Sequence, residues 1–266
     1  MTTAPWEVLA VRYAHSDRKR AENFIGGDPH DAPMPIDYFV WVLRNGSRTI
    51  VVDTGFDAAM AARRGRSITT PVEEGLAAVG VDHAAVEDVI VTHFHYDHAG
   101  NRELFPAARF HVQDREMAYA TGRCMCHGLL RHPFEADDVV AMVRRLFDGR
   151  IAFHDGADAV APGVTVHHVG GHSKGLQVVR VETARGPVVL ASDATHYYEH
   201  FQTGRAFTVV HDLEALLEGY RTLRRLAPSD DHIVPGHDPL VLARYPAPDA
   251  RLSGLAVRLD VAPSAD

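Results

Sequence analysis

The sequence predicts an α/β fold in which sheets are covered by helices, and three observations predict it. Short apolar or β-branched runs recur along the chain, segments with apolar residues at three- and four-residue spacing fall between them, and the composition can fill a large core, at 46% hydrophobic and 23% charged in 266 residues. Runs of the first kind read as strands and those of the second as amphipathic helices; interleaved, they bury their apolar faces by layering.

The first strand is expected over Glu7–Tyr13. The Gly-, Pro- and Asp-rich stretch Gly26–Pro35 follows as a long surface loop, since these residues favour turns over regular structure. Tyr38–Leu43 and Thr49–Val52 read as strands, Ala58–Arg64 and Val72–Val79 as helices, and Val89–Val91 as a buried strand. Further helices are expected at Asp114–Tyr119, Asp137–Phe147 and Leu213–Leu226, and further strands at Val164–Val169, Val178–Val181, Val188–Ala191 and His232–Val234. No linker composition and no internal repeat divides the chain, so residues 1–266 are expected to form a single domain.

Charge and cysteine usage narrow the function. Lys+Arg 27 against Asp+Glu 35 leaves a net charge of −8, which disfavours nucleic acid as a partner. The two cysteines, Cys124 and Cys126, are too few to staple a secreted scaffold and fit a reducing compartment. Their one-residue spacing is poor for chelating a metal, so they read as ordinary thiols. No run approaches the ~18 apolar residues of a spanning helix and the opening residues do not resemble a leader, so a cytoplasmic location with no membrane partner is expected. The basic runs Arg18–Lys19–Arg20 and Arg63–Arg64–Gly65–Arg66 read as solvated faces.

The unusual count is histidine, at 18. Val89–Val91 leads into Thr92–His93–Phe94–His95–Tyr96–Asp97–His98, which holds four metal-ligand residues within six positions. In an extended segment His93 and His95 share a face, so two imidazoles can aim at one point; a turn near Gly100 can swing Asp97 and His98 towards a second. His172, Asp193 and His237 each follow an apolar run. Lying far apart in sequence, they can meet only through the fold, at strand ends. Five His and two Asp without a thiolate suit Zn²⁺ better than Mg²⁺, and seven ligands suit two ions sharing a carboxylate and a water.

This ordered set, with Asp53–Thr54–Gly55 ahead of it, resembles the metallo-β-lactamase superfamily, and within it the N-acyl homoserine lactonase group. The resemblance implies a four-layer αββα sandwich with metals at one edge. Asp193 stands where the Cys-containing β-lactamases carry a thiolate, and His95 where the flavo-diiron branch carries Glu. Glyoxalase-II-like members add a helical domain after the last histidine that this chain lacks room for, and RNA-processing members need basic surfaces. Two departures from the lactonases stand out. Gly170–Gly171–His172 replaces Pro-Gly-His, and His196 occupies the place of a tyrosine, with Tyr197 and Tyr198 following at once.

The resemblance assigns His93, His95 and His172 to one Zn²⁺, Asp97, His98 and His237 to a second, and Asp193 to the bridge. The expected reaction is opening of a lactone ring by a hydroxide held between the metals. Asp97 would orient that hydroxide and return a proton to the leaving alkoxide, while His196, Tyr197 or Tyr198 would steady the oxyanion. Asp53 reads either as an Asx turn or as a support for a ligand imidazole, a role open also to Thr92 and Ser173. The segment Thr121–Pro133 is expected to line an apolar acyl pocket. The expected partner is a small lactone or ester, with a homodimer admitted. The competing readings are hydrolysis of another cyclic or linear ester from aromatic or cofactor catabolism, and a catalytically silent metal-binding sensor.

Overall fold

The computed structural model describes residues 4–30, 32–46 and 48–264. Along the chain run β1 (Glu7–Ser16), β2 (Ile36–Asn45), β3 (Arg48–Val52), α1 (Ala58–Arg64), β4 (Ser67–Ile68), α2 (Val72–Ala78), β5 (Asp88–Ile90) and α3 (Tyr96–Ala99). β6 (Arg109–Gln113), α4 (Asp114–Ala120), α5 (Gly128–Arg131), α6 (Ala136–Phe147), β7 (Ile151–His154), β8 (Ala157–Ala161), β9 (Val164–His168) and β10 (Gln177–Thr183) follow. β11 (Gly186–Ser192), α7 (Tyr198–Thr203), α8 (Leu213–Leu226), β12 (Ile233–Pro235), α9 (Leu240–Arg244) and β13 (Ala256–Arg258) complete the path.

The strands form two sheets. One is eight-stranded, in the order β13-β1-β2-β3-β5-β6-β7 with β4 paired to β1; the other is five-stranded, in the order β12-β11-β10-β9-β8. Alternation along β2 shows how they stack. Tyr38, Val40 and Val42 face a cluster shared with Met60 of α1, Leu76 of α2, Met117 of α4 and Met142 of α6. Phe39, Trp41 and Leu43 face the opposite cluster, which takes in Val178 and Val189 of the second sheet and Leu216, Tyr220 and Leu223 of α8. Period-two patterning thus gives one sheet two apolar faces, one under helices and one against a second sheet. The result is the expected αββα layering.

Helix boundaries follow local chemistry. Asp57 caps α1 by accepting from the Met60 N–H, and Asp212 caps α8 by accepting from the Ala215 N–H. The expected strands and helices all form, with ends shifted by a few residues. Several further strands form where none was expected. β7 and β8 are half-exposed edges and β13 is only three residues long, while β6 carries Arg109, His111 and Gln113 among its apolar residues. Edge position and polar content blur the period-two signal. Among the described residues no helix is long and apolar enough to cross a membrane.

Strand direction creates the site. β3, β5, β6 and β7 run parallel, as do β11 and β12, so the segments leaving β3, β5, β11 and β12 can be gathered at one edge of the sandwich. At that edge Gln177, fully buried, donates to the carbonyls of Val91 and His111 and accepts from Gln113, tying the second sheet to the first.

The inter-sheet packing makes a direct prediction. Trp41 is fully buried and its indole N–H has no acceptor among the described residues. Trp41→Ala is expected to cost about 3–5 kcal/mol in denaturant unfolding. Trp41→Phe is expected to cost clearly less, because it keeps most of the volume and removes an unpaired donor.

Candidate metal centre

The seven expected ligands converge, all buried. His93 and His95 lie on the extended segment after β5, Asp97 and His98 in the single turn of α3, His172 in the β9–β10 connection, Asp193 after β11 and His237 after β12. His93, His95 and His172 form one group whose donor atoms lie within 4.8 Å of one another, and Asp97, His98 and His237 form a second. Asp193 lies between them. Its Oδ2 is 3.1 Å from His172 Nε2 and 3.9 Å from His93 Nε2, whereas its Oδ1 is 3.0 Å from His237 Nε2 and 3.4 Å from His98 Nε2. Each oxygen of one carboxylate therefore serves a different group.

The far side of most rings is already committed. The Nδ1–H of His98 donates to Asp53 Oδ2 at 2.7 Å, that of His172 to the Val209 carbonyl at 2.7 Å, and that of His237 to the Asp37 carbonyl at 2.8 Å. His93 Nδ1 lies 3.1 Å from the Thr92 hydroxyl. With Nδ1 occupied, each of these rings turns Nε2 to the centre, where a cation would take the place of a proton. Among the described residues His93 Nε2, His98 Nε2 and Asp193 Oδ1 are buried and make no well-aligned hydrogen bond. Buried polar atoms without partners are costly, and three facing one another fit a bound cation.

The electrostatics agree. Burial, together with neighbouring imidazoles, drives His93 and His95 well below the usual range, so both are neutral and able to ligate. Burial opposes the charge of Asp193, yet His237, His98, His196 and His172 hold its carboxyl well below the usual range. Burial also lowers His98 and His237, but Asp193 and the other nearby carboxylates more than reverse it. The carboxylates of this half demand positive charge.

Two strained residues hold the edge. Asp53 (φ 62°) and Ser192 (φ 44°) are the non-glycine residues with positive φ among those described, and they end β3 and β11. Thr92 joins them. Its N–H and hydroxyl donate to Asp53 at 2.7 and 2.9 Å, and the Ser192 hydroxyl lies 2.9 Å from the Thr92 oxygen. Asp53 is thus a support for His98, and Thr92 supports Asp53. Ser173 does otherwise: its hydroxyl donates to Glu116.

Glu116 escaped the sequence reading. Fully buried on α4, it accepts from the Phe94 N–H at 2.8 Å and the Gly175 N–H at 2.9 Å, so one carboxylate clamps the loops carrying His95 and His172. The only trace in the sequence is an acid on the inward face of an amphipathic helix. Gly171 fixes the same loop at φ +83°, where an added Cβ would lie 2.5 Å from the Leu216 backbone.

The structure separates the three candidate oxyanion donors. His196 lines the cavity at the centre, with its ring stacked on Phe207 at 3.7 Å and Nε2 3.1 Å from Asp193 Oδ2. The Tyr197 hydroxyl is spent on the carbonyls of Met34 and Pro35. Tyr198 lies in the cluster between the sheets, its ring under the Arg244 guanidinium. Leu130, His132 and Pro133, from the expected covering segment, border an adjoining cavity, while Leu129 is 88% exposed.

Residues 35–237 match the metallo-beta-lactamase superfamily. The chain belongs to that superfamily. Among its members, an N-acyl homoserine lactonase of Bacillus sp is 28% identical over 227 residues, covering 76% of this chain and 82% of the relative. Metallo-beta-lactamase domain-containing protein 1 of Homo sapiens is 30% identical over 193 residues, 71% of this chain and 58% of the human protein. A solved quorum-quenching N-acyl homoserine lactone lactonase superposes with a TM-score of 0.75 at 21% identity, covering 90% of this chain and 95% of the other. At that identity the superposition speaks for the fold, and the superfamily fold is the one described above.

Two substitutions test the supports. Asp53→Asn is expected to weaken metal retention by about 10–100-fold in a chelator titration. Glu116→Gln places an amide donor against the backbone N–H groups and is expected to lower stability by about 1–3 kcal/mol together with metal content. Full metal content and an unchanged melting temperature in Glu116→Gln would remove its clamping role.

Proposed function

We propose that the chain is a two-zinc hydrolase that opens a lactone ring of the N-acyl homoserine lactone kind. The single observation that carries the reading is the division of Asp193, with one oxygen towards His172 and His93 and the other towards His237 and His98. In this reading His93, His95 and His172 hold one ion, Asp97, His98 and His237 the other, and Asp193 both. The relatives named lactonases support the reaction class, and the His/Asp donor set without thiolate supports zinc. Two such ions would bring the pKa of water to about 7 and polarise the ester carbonyl.

The chain supplies the rest. Asp97 borders the cavity, with a carboxylate oxygen 3.7 Å from both His98 Nε2 and His237 Nε2. As water adds to the carbonyl carbon and the ring C–O bond breaks, Asp97 takes the water proton on its carboxylate and delivers it to the departing alkoxide. In this reading His196, stacked on Phe207, would turn its Nε2–H to the developing oxyanion, giving up the 3.1 Å contact that Nε2 makes with Asp193 Oδ2. The tyrosine of other lactonases is thereby replaced by an imidazole.

Protein purified without chelator is expected to carry close to two zinc equivalents; full activity with one would reject the paired site. Asp97→Asn is expected to slow acid release from lactones by about a hundredfold or more in a pH-stat, with the melting temperature retained. Wild-type turnover in that variant would end its assignment.

A further inference from the structure

The cavity over the centre, about 90 Å³, has a wall that the proposed reaction does not use. Arg18, Arg64 and Arg66 all line it, alongside Asp97, Asp193 and His237. They come from two separate stretches of chain: Arg18 follows β1, Arg64 ends α1, and Arg66 lies just before β4. In a protein of net charge −8, three guanidiniums meeting at one cavity are a local reversal of sign.

Among the described residues their partners leave two of the three without a countercharge. Arg64 pairs with Glu135 and lies 4.4 Å over the Tyr96 ring. Arg66 is half-buried; its Nε donates to the Tyr96 hydroxyl at 3.2 Å and its Nη1 to the Ser16 hydroxyl at 3.5 Å. Arg18 donates to Asn23 Oδ1 at 3.3 Å, and the buried Asn23 is itself anchored by donating to the Met34 carbonyl. Neither Arg18 nor Arg66 has a carboxylate within 4.0 Å among the described residues. Guanidiniums oriented by neutral groups at a cavity keep their charge and their donors available to an incoming anion. A planar fork of donors is also suited to a carboxylate or phosphate.

The adjoining cavity shares His95, His132, Pro133, His172 and Val209 with the first and is bordered further by Tyr119, Leu130 and Val210, with no arginine among the described residues of its lining.

We propose that the substrate is an ester or lactone carrying its own oxyanion group, carboxylate or phosphate, which Arg18 and Arg66 bind while Arg64 shapes the wall. This rests on the hydrolase reading and narrows it to an anionic ester or lactone, in place of the uncharged N-acyl homoserine lactone.

Unreactive ring ethers test it by calorimetry on the zinc-loaded protein: tetrahydrofuran-2-carboxylate, its carboxamide, and tetrahydrofurfuryl phosphate. At least one anion is expected to bind about tenfold or more tightly than the carboxamide, and which one identifies the oxyanion. Arg18→Gln and Arg66→Gln should each remove most of that preference, Arg66→Lys should retain part of it, and Arg63→Gln, which does not line the cavity, should leave it intact. Should Arg66→Gln fail to fold, Arg18→Gln carries the test alone. Equal binding of all three compounds overturns the proposal. So does an anion preference that survives both glutamine variants, since the anion would then sit on the metals. The matching γ-butyrolactones separate the two readings: anion-selective binding with no ring opening sinks the hydrolase and leaves the arginine site, whereas ring opening without anion preference sinks only the arginine site.

Discussion

The buried carboxylate of Asp193 organises this edge of the molecule. A carboxylate removed from water is tolerable only among positive charges or strong donors, and here five imidazole Nε2 atoms, those of His93, His98, His172, His196 and His237, lie within 3.9 Å of it. Those imidazoles would in turn be costly to bury without acceptors for their Nδ1–H groups. The acceptors come from the Asp53 carboxylate and the carbonyls of Val209 and Asp37. Charge, tautomer and backbone position are therefore linked.

That linkage explains why strain sits where it does. Asp53 and Ser192 take left-handed backbone geometry at the ends of β3 and β11, one in each sheet. Relaxing either would move Asp53 away from His98 or turn Asp193 out of the gap between the two groups of candidate ligands. The bonds through Thr92 offset the conformational cost, joining both strained residues to the segment that starts the His93–His98 run. Glu116 does the same for the His95 and His172 loops, using backbone donors rather than side chains.

Much of this was legible before any coordinates. The motif from His93 to His98 is local, so its spacing alone marks candidate ligands; the meeting of His172, Asp193 and His237 with them was legible because each follows an apolar run that reads as a strand. Helices α1 and α8 coincide with their expected spans because caps and three-four spacing agree there. β6, β7 and β8 were not legible, since a charged or half-exposed strand lacks clean alternation. Glu116 and Gln177 were hidden for another reason. Each acts through backbone groups distant in sequence, and nothing local distinguishes a buried acid or amide from a solvated one.

The arginines show the same limit from the opposite side. Read locally, Arg18–Lys19–Arg20 and Arg63–Arg64–Gly65–Arg66 are short basic runs of the kind that usually face solvent, and Arg63 does so. Arg64 and Arg66 do not, because the left-handed Gly65 at the end of α1 turns the chain into β4, which pairs with β1 next to the start of the loop holding Arg18. Strand pairing, not the basic run itself, thus carries two distant stretches to one wall of the cavity. The same pairing accounts for Arg66 meeting Ser16 and Tyr96, neutral groups that orient a charge without cancelling it. Arg64 and Arg66 are thereby held half-buried beside the His/Asp cluster, at a cavity also lined by Asp97, whereas Arg63 stays out in solvent.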